Sequence, residues 1–386
     1  MSLKGLRVLF VVPARSGYTG ASIAALNIAL GLAKLGVQVH VATTRPPSKH
    51  LGLLKRLREA GVHLHVGSFN PPGALYWAYL AYLAFRELAS LRPRVVHPHL
   101  PKVAAIVLPM SILFRAARVM TVEGDPVHEA FGASLHRRLL LRALWELSQR
   151  LAQALLPCSS WLAEVLKRRS PGLEGKLYPT PNPIDYERFS SADGSRLRRK
   201  LGLDGPVVFT AARLDKVKGV DLLIEAAAKL LRRGLKASFL VAGEGPSRRE
   251  LEDLALKLGV ADRFFLLGFR EDVEELTAAC DIAVLPSRYE PFGMPAAEAG
   301  ACGKPVVVSA TGGLREVVVD GVTGLFFRPN DADDLARALA ELLMDPELRR
   351  RMGEAGRLRV SKLFTPEAVA RRVLKVYFSK AAVMPR

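Results

Sequence analysis

The chain has 386 residues, 49% of them apolar and 24% charged, with a formal net charge of +19. That length exceeds one ordinary core and supplies apolar material for two, so two domains are expected. Cys158, Cys280 and Cys302 are odd in number and far apart, with no Cys-x-x-Cys and no Cys/His cluster at metal spacing; this excludes a disulfide framework and a zinc module and fits a reduced, intracellular protein.

The start, MSLKGLRVLFVVPARSG, lacks a small-residue cleavage site and reads as a first strand, RVLFVV, and a turn, not as a signal peptide. The stretch ASIAALNIALGLAKL (21–35) predicts a helix. Strands are predicted at VQVHVATT (37–44), VHLHV (62–66), RVVHPH (94–99), RVMTV (118–122) and ALLPCS (154–159), with a further helix at SLHRRLLLRALWELSQRLAQ (134–153). The apolar runs ALYWAYLAYLAF (74–85) and VAAIVLPMSILF (103–114) fall short of the roughly 20 residues that a membrane span needs, so no transmembrane helix is expected. The segment LYPTPNPIDYERFSSADGS (177–195), rich in Pro, Ser and Asp, reads as a link. The alternation then restarts with PVVFTAA (206–212), KASFLVAG (236–243), RFFLLG (263–268), DIAVLPS (281–287), KPVVVSA (304–310) and TGLFF (323–327). Strands with few alternating polar residues are buried on both faces, as in parallel sheets flanked by helices. The expected fold is therefore α/β: two doubly wound, Rossmann-like domains facing across a cleft.

In SRYEPFGMPAAEAGACGKPVVVS (287–309) two acids, Glu290 and Glu298, are separated by Pro291, Gly293 and Pro295. Glu290 falls in the loop past the carboxyl end of a strand. Pro295 suits the first position of a helix that stops near Gly303 and carries Glu298 in its first turns. Ligands of open α/β sheets bind at that edge, so both acids are placed to face one ligand from different elements. The alternative is a helix-dipole acid and a solvated loop acid. Backbone N–H groups around Phe292, Gly293 and Met294 are arranged in sequence to form an anion nest.

Two further stretches end strands. In AARLDKVKGVDLL, Arg213 and Lys218 stand at a helix entrance opening at Gly219, where two cations fit a phosphate or pyrophosphate or are ordinary surface basicity. In VAGEGPSRRELE, Gly243 and Gly245 free the backbone around Glu244, for a ligand's approach or for a tight turn. The only Asp-x-Asp, in DADD (331–334), sits where a helix should begin and reads as an acidic N-terminus rather than a metal site.

Taken in order, ARLDKVKGVDLLIEAAAKL, VAGEGPSRRELE, FLLGF, DIAVLPSRYEPFGMPAAEAGACGKPVVVSATGGLREVV and GVTGLFF resemble retaining glycosyltransferases of family four, which have the two-domain GT-B fold. The resemblance is close over 205–330 and looser before it. It implies an N-terminal acceptor-binding domain (1–185), a C-terminal nucleotide-sugar-binding domain (186–363), and a terminal helix (364–386) crossing back to the first. It implies that Arg213 and Lys218 grip the donor's diphosphate, that Glu298 accepts hydrogen bonds from the ribose hydroxyls, and that Glu290 stands beside the donor sugar, with Gly243, Glu244, Phe292, Gly293 and Met294 also at the donor. On this reading Arg213, Lys218 and Glu290 are the catalytic set, and no metal or other cofactor is expected. In the first domain, SGYTGASIAALNIALGLAKLG resembles the family's glycine-rich loop, with Gly20 at a helix start near the donor phosphate. Tyr18 and Thr19 depart from the usual shorter turn, which weakens the assignment of Gly17. His99, in HPHL, is family-like. Glu123, in TVEGDP, stands where many members have a histidine near the donor sugar and acceptor. It fits a hydrogen-bond acceptor for the acceptor hydroxyl, a base if burial raises its pKa, or a structural partner of an arginine.

Most of the positive charge, and all eight histidines, lie in the first half. That suits an anionic partner there, or solubility alone. No aromatic stacking set or RNA-binding signature supports nucleic acid. The helix at 136–156 mixes cations with Leu and Trp145, and 74–94 is aromatic-rich. Both fit either sheet-covering helices or peripheral contact with an anionic bilayer on the cytoplasmic face. The expected partners are thus a nucleotide-sugar donor and a glycan, lipid-linked or sugar-phosphate acceptor. The competing functions are a nucleotide-sugar epimerase of related fold and a non-catalytic nucleotide-sugar binder.

Overall fold

In the first half of the chain, short segments rich in Val and Leu form six parallel strands: β1 (Arg7–Val12), β2 (Gln38–Thr43), β3 (His63–Val66), β4 (Val95–Pro98), β5 (Ala117–Val122) and β6 (Ala154–Pro157). Their order in the sheet is β3-β2-β1-β4-β5-β6. In the central pairings Val8 lies beside Val39 on one side and Val95 on the other. Between them run helices α1 (Gly20–Lys34), α2 (Leu51–Glu59), α3 (Gly73–Leu91), α4 (Pro101–Leu113), α5 (Leu135–Leu151) and α6 (Ser160–Arg169). The computed structural model describes residues 3, 5–14, 19–46, 51–125 and 134–381.

The second half repeats the architecture. After the short helices α7 (Tyr186–Ser190) and α8 (Ser195–Lys200) come β7 (Val207–Ala211), α9 (Val220–Arg232), β8 (Ser238–Ala242), α10 (Arg248–Lys257), β9 (Phe264–Leu266), α11 (Val273–Ala279), β10 (Ile282–Leu285), α12 (Met294–Ala301), β11 (Val306–Ser309), α13 (Leu314–Val317) and β12 (Gly324–Phe327). Three helices finish the chain: α14 (Ala332–Met344), α15 (Pro346–Leu363) and α16 (Pro366–Ala381). The second sheet, also parallel, is ordered β12-β11-β10-β7-β8-β9. All twelve strands expected from the sequence are present; burial on both faces demands apolar runs in the inner strands, whereas the edge strands β3 and β9 are only partly buried.

Contacts divide the chain into two units, Met1–Pro183 with Thr365–Arg386, and Ile184–Phe364. In the first, one face of the sheet packs Phe10, Val12 and Val41 against Leu26 and Ile28 of α1 and against Val369, Val373 and Tyr377 of α16. The other face packs Leu9, Val11 and Val96 against Leu80 and Leu88 of α3 and Val103 and Val107 of α4. In the second unit Phe239, Val241 and Val284 meet Leu223 and Ala227 of α9 and Leu335 and Leu339 of α14. Each such fully buried Val, Leu, Ile or Phe side chain contributes about 1.5–3 kcal/mol. Among the described residues no helix is long and apolar enough to cross a membrane, and the three cysteines are free and buried.

Strand order reverses between β1 and β4 in the first sheet and between β7 and β10 in the second. The carboxyl ends of those pairs are where open α/β sheets offer a crevice. They place His99 and Glu123 beyond β4 and β5 of the first unit, and Arg213 and Glu290 beyond β7 and β10 of the second.

Candidate functional site

The loop after β7 is organised by one side chain. Asp215 Oδ1 accepts from the Lys218 backbone N–H (3.2 Å), and its Oδ2 lies 3.3 Å from Arg213 Nε. Asp215 so caps the short 3-10 turn Lys216–Lys218, and Gly219, at φ +66°, turns the chain into α9. The Arg213 side chain is 70% exposed. Lys218 turns inward instead, and its Nζ lies 2.7 Å from Glu290 Oε2, which also accepts from Ser287 Oγ at 3.4 Å. Glu290 is buried, so the ammonium supplies the charge partner that a buried carboxylate requires. Arg288 ties the same two loops together: it donates to both Asp221 oxygens (2.8 and 2.6 Å) and to the Lys216 carbonyl (2.6 Å), while its own N–H reaches the Val217 carbonyl (2.8 Å).

Two more strand ends close on this point. Gly243, after β8, has φ +149°, and a Cβ there would sit 1.9 Å from the Ala212 carbonyl oxygen, so only glycine lets this loop lie against the one after β7. Glu244, beside it, is exposed at the surface and pairs with Arg248 at 3.2 Å, while its carbonyl accepts from the Leu214 N–H at 3.0 Å. After β11, Gly312 and Gly313 press against the Glu290 loop: a Cβ on either would come 2.1 Å from the carbonyl oxygen of Glu290 or Pro291, and Gly313 N–H donates to the Glu290 carbonyl (2.9 Å).

Gly293, at φ +100°, caps α12, which begins at Met294. Pro295 is therefore the helix's second residue and not its first, a one-residue correction that still keeps its missing N–H in the first turn. Phe292 is buried edge-to-face against Phe364, ring centroids 5.6 Å apart. Glu298 lies further along α12, with Arg188, Asp185 and Glu274 as its charged surroundings. Burial pushes its carboxyl up to about 7; Arg188 opposes the shift, and Asp185 and Glu274 reinforce it. Arg188 is itself committed to Glu274, at 2.5 Å.

The Glu298 shift has a checkable consequence. Its folded pKa lies above the ordinary carboxylate value, so stability is fully present below about 4.5 and declines as pH rises towards 7, by up to about 3 kcal/mol. Glu298→Gln cannot ionise and is expected to be more stable than wild type at pH 8 but equal to it at pH 4. Urea unfolding at both values measures this, and equal stabilities at pH 8 would place the carboxyl in an ordinary environment.

In the first unit Gly20 opens α1 behind the Thr19 cap, whose hydroxyl accepts from Ser22 N–H at 3.4 Å. Gly17 and Tyr18 lie outside the described residues. His99 is buried just past β4, and the next residue, Leu100, has φ +76°, a strained value for a branched side chain. Glu123 Oε2 accepts from Asn182 Nδ2 at 2.6 Å. Its partner is thus an asparagine, not the arginine that one reading of the sequence allowed. Glu123 Oε1 stands 3.7 Å from His99 Nδ1, too far for a hydrogen bond. That oxygen, both His99 nitrogens and Asn182 Oδ1 are buried without a hydrogen-bond partner. A single hydroxyl between His99 and Glu123 would satisfy two of these atoms. Behind them His97 bonds Tyr377 OH (2.5 Å) and Thr121 Oγ1 (2.8 Å), and burial, with His99 beside it, holds His97 well below its ordinary pKa and so neutral.

The structure therefore brings Lys218 and Glu290 into contact, sets Arg213 on the adjoining turn, and gives Glu298 separate surroundings. Asp215, Arg288, Asn182 and the Gly312–Gly313 pair were not singled out from sequence. Only the last carried a local signal, a Gly-Gly step directly after a strand. Among the described residues no group of three or more His, Cys, Asp or Glu could hold a metal ion.

Comparison with known proteins identifies the family. Residues 194–359 match the model of glycosyl transferases group 1, and residues 18–188 that of glycosyltransferase family 4. Glycogen synthase of Mycobacterium tuberculosis is 33% identical over 297 residues, 75% of this chain and 70% of that protein. D-inositol 3-phosphate glycosyltransferase of Stackebrandtia nassauensis is 38% identical over 253 residues, 61% of this chain and 56% of that one. Alpha-D-kanosaminyltransferase of Streptomyces kanamyceticus is 38% identical over 175 residues, 44% and 45% respectively. The chain spans about half the length of the last two. The crystal structure of Anabaena HepE in complex with UDP and glucose superposes with a TM-score of 0.78 at 24% identity, covering 97% of this chain and all of that one, and so shares the fold. The chain belongs to the GT-B glycosyltransferases of the family-four kind.

Proposed function

We propose that the protein transfers a sugar from a nucleotide-diphosphate sugar to an acceptor hydroxyl with retention of anomeric configuration, and without a metal. The observation that carries this is the pair of half-buried Lys218 with buried Glu290 beside exposed Arg213, at the carboxyl ends of β7 and β10. Arg213 and Lys218 would take the diphosphate and stabilise the negative charge that grows as the nucleotide leaves. Glu290, held by Lys218, would face the donor sugar and the positive charge developing at its anomeric carbon. Glu298 would accept hydrogen bonds from the ribose. Relatives named for transfer to inositol phosphate or for glycogen synthesis, and a fold neighbour crystallised with UDP and glucose, support a nucleotide-sugar donor.

The departing phosphate, held by the two cations, would accept the acceptor's proton on the face it leaves, which needs proximity and charge but no protein nucleophile. The basic first unit would hold the acceptor, an anionic lipid-linked or phosphorylated glycan, with His99 and Glu123 positioning its hydroxyl, on the cytoplasmic face of the membrane. Proton NMR of the product's anomeric signal tests the stereochemistry, and nucleotide release in proportion to acceptor separates transfer from epimerisation. Retention is expected in wild type, and Glu123→Gln is expected to keep measurable transfer. Inversion would overturn the mechanism; retention with a folded, donor-binding but inactive Glu123→Gln would make Glu123 catalytic.

A further inference from the structure

Past the carboxyl ends of β4 and β5 the first unit holds a cluster of polar side chains that its own residues leave incomplete. The His99 and Glu123 side chains are 1% and 9% exposed, and Asn182 is buried. All three are fixed from behind. The His99 ring stacks on His97, centroids 4.9 Å apart, and on Phe10, at 6.0 Å. Its backbone bridges to Thr121. The Glu123 carbonyl accepts from the Cys158 thiol at 3.6 Å, and Glu123 Oε2 accepts from Asn182 Nδ2 at 2.6 Å. Leu100, next to His99, holds φ +76°, backbone strain of the kind that collects at ligand sites. Yet Glu123 Oε1, Asn182 Oδ1 and both His99 nitrogens make no hydrogen bond. Among the described residues no Lys or Arg pairs with Glu123.

The missing partners have a definite chemistry. A neutral imidazole offers one N–H and one lone pair, so the cluster sets three acceptors, one of them formally charged, against a single donor. Buried polar atoms need hydrogen bonds, and a buried charge needs its opposite. A hydroxyl brings one hydrogen and no charge, which leaves two acceptors and the carboxylate unmatched. A primary ammonium brings three hydrogens and one positive charge. Its nitrogen, about 2.8 Å from each atom as charge-assisted bonds require, fits the 3.7 Å gap between Glu123 Oε1 and His99 Nδ1. A hydroxyl beside the ammonium would take the His99 N–H and keep its own hydrogen free for the departing phosphate. We infer that the His99–Glu123–Asn182 cluster binds a protonated primary amine next to the hydroxyl that receives the sugar, so that the acceptor is an amino sugar. Phosphate elsewhere on that acceptor still suits the basic first unit. The inference deepens the acceptor reading above and rests on it for its place in the reaction. Amine binding itself is measured without donor or turnover, so either can fail alone.

The test is a ligand-observed NMR titration of the full chain with D-glucose, with its monoamino deoxy derivatives and with the N-acetyl form of each. At least one amino sugar is expected to bind about 10-fold or more tightly than glucose and than its own N-acetyl form, the size of one hydrogen-bonded charge contact. Glu123→Gln keeps the shape and an oxygen for Asn182 but removes the charge, and is expected to erase that preference. Without ligand the same variant is expected to melt no lower than wild type, because it removes a buried carboxylate that no cation matches. Glucose bound as tightly as every amino sugar, a preference that survives N-acetylation or survives in Glu123→Gln, or a lower melting temperature for Glu123→Gln would each overturn the inference, the last by showing that the fold itself supplies the partner of the carboxylate.

Discussion

Arg213→Ala is expected to lower the rate of nucleotide release about 100-fold or more, as loss of one preorganised charge-stabilising group does, while leaving the melting temperature of the protein unchanged. The two outcomes separate because the Arg213 side chain is 70% exposed and leans only on Asp215, an ion pair of the kind that adds about 0–1 kcal/mol. Lys218→Ala is expected to match the rate loss and also to destabilise the fold, because it strands the buried Glu290 carboxylate without its partner at 2.7 Å. Chelator is expected to change neither enzyme nor variants. Full activity in Arg213→Ala, or inactivation by chelator that added metal reverses, would remove the pair from the reaction.

Glu290→Ala and Glu298→Ala are expected to fail differently. Glu290 is held by Lys218 where charge would change during transfer, so its loss should depress kcat more than it weakens donor binding. Glu298 has its own surroundings on α12 near Arg188, and the ribose contacts proposed for it would be shared by ground and transition states. Its loss should therefore raise the donor Kd with a smaller effect on kcat. Steady-state kinetics with direct donor titration reads both. The reverse pattern would exchange the two roles.

What sequence disclosed of this molecule was what local constraints write into it. Strands buried on both faces must be runs such as RVLFVV and DIAVLPS, and Glu290 could be placed past a strand end because the strand itself was visible. Contacts between distant segments left no such mark. Lys218 and Glu290 are 72 positions apart, and nothing in either neighbourhood specifies a 2.7 Å contact. Asn182 sits in a proline-rich stretch that reads as a connector, yet it grips Glu123 from 59 positions away. The upward shift at Glu298 depends on burial and on residues of α7 and α11, which only the folded chain assembles.

The placement of α16 bears on how the protein is made. Val369, Val373 and Tyr377 belong to the core of the first unit, and the Tyr377 hydroxyl bonds the buried His97. The second unit, Ile184–Phe364, is one unbroken stretch. During synthesis the first sheet would emerge with one face covered by α1 and α2 but still lacking α16, whereas the later segment holds everything it needs once Phe364 is clear. The usual N-to-C order of co-translational folding would then be inverted, and the part of the β1–β4 face that Val369, Val373 and Tyr377 cover would stay open in the interval.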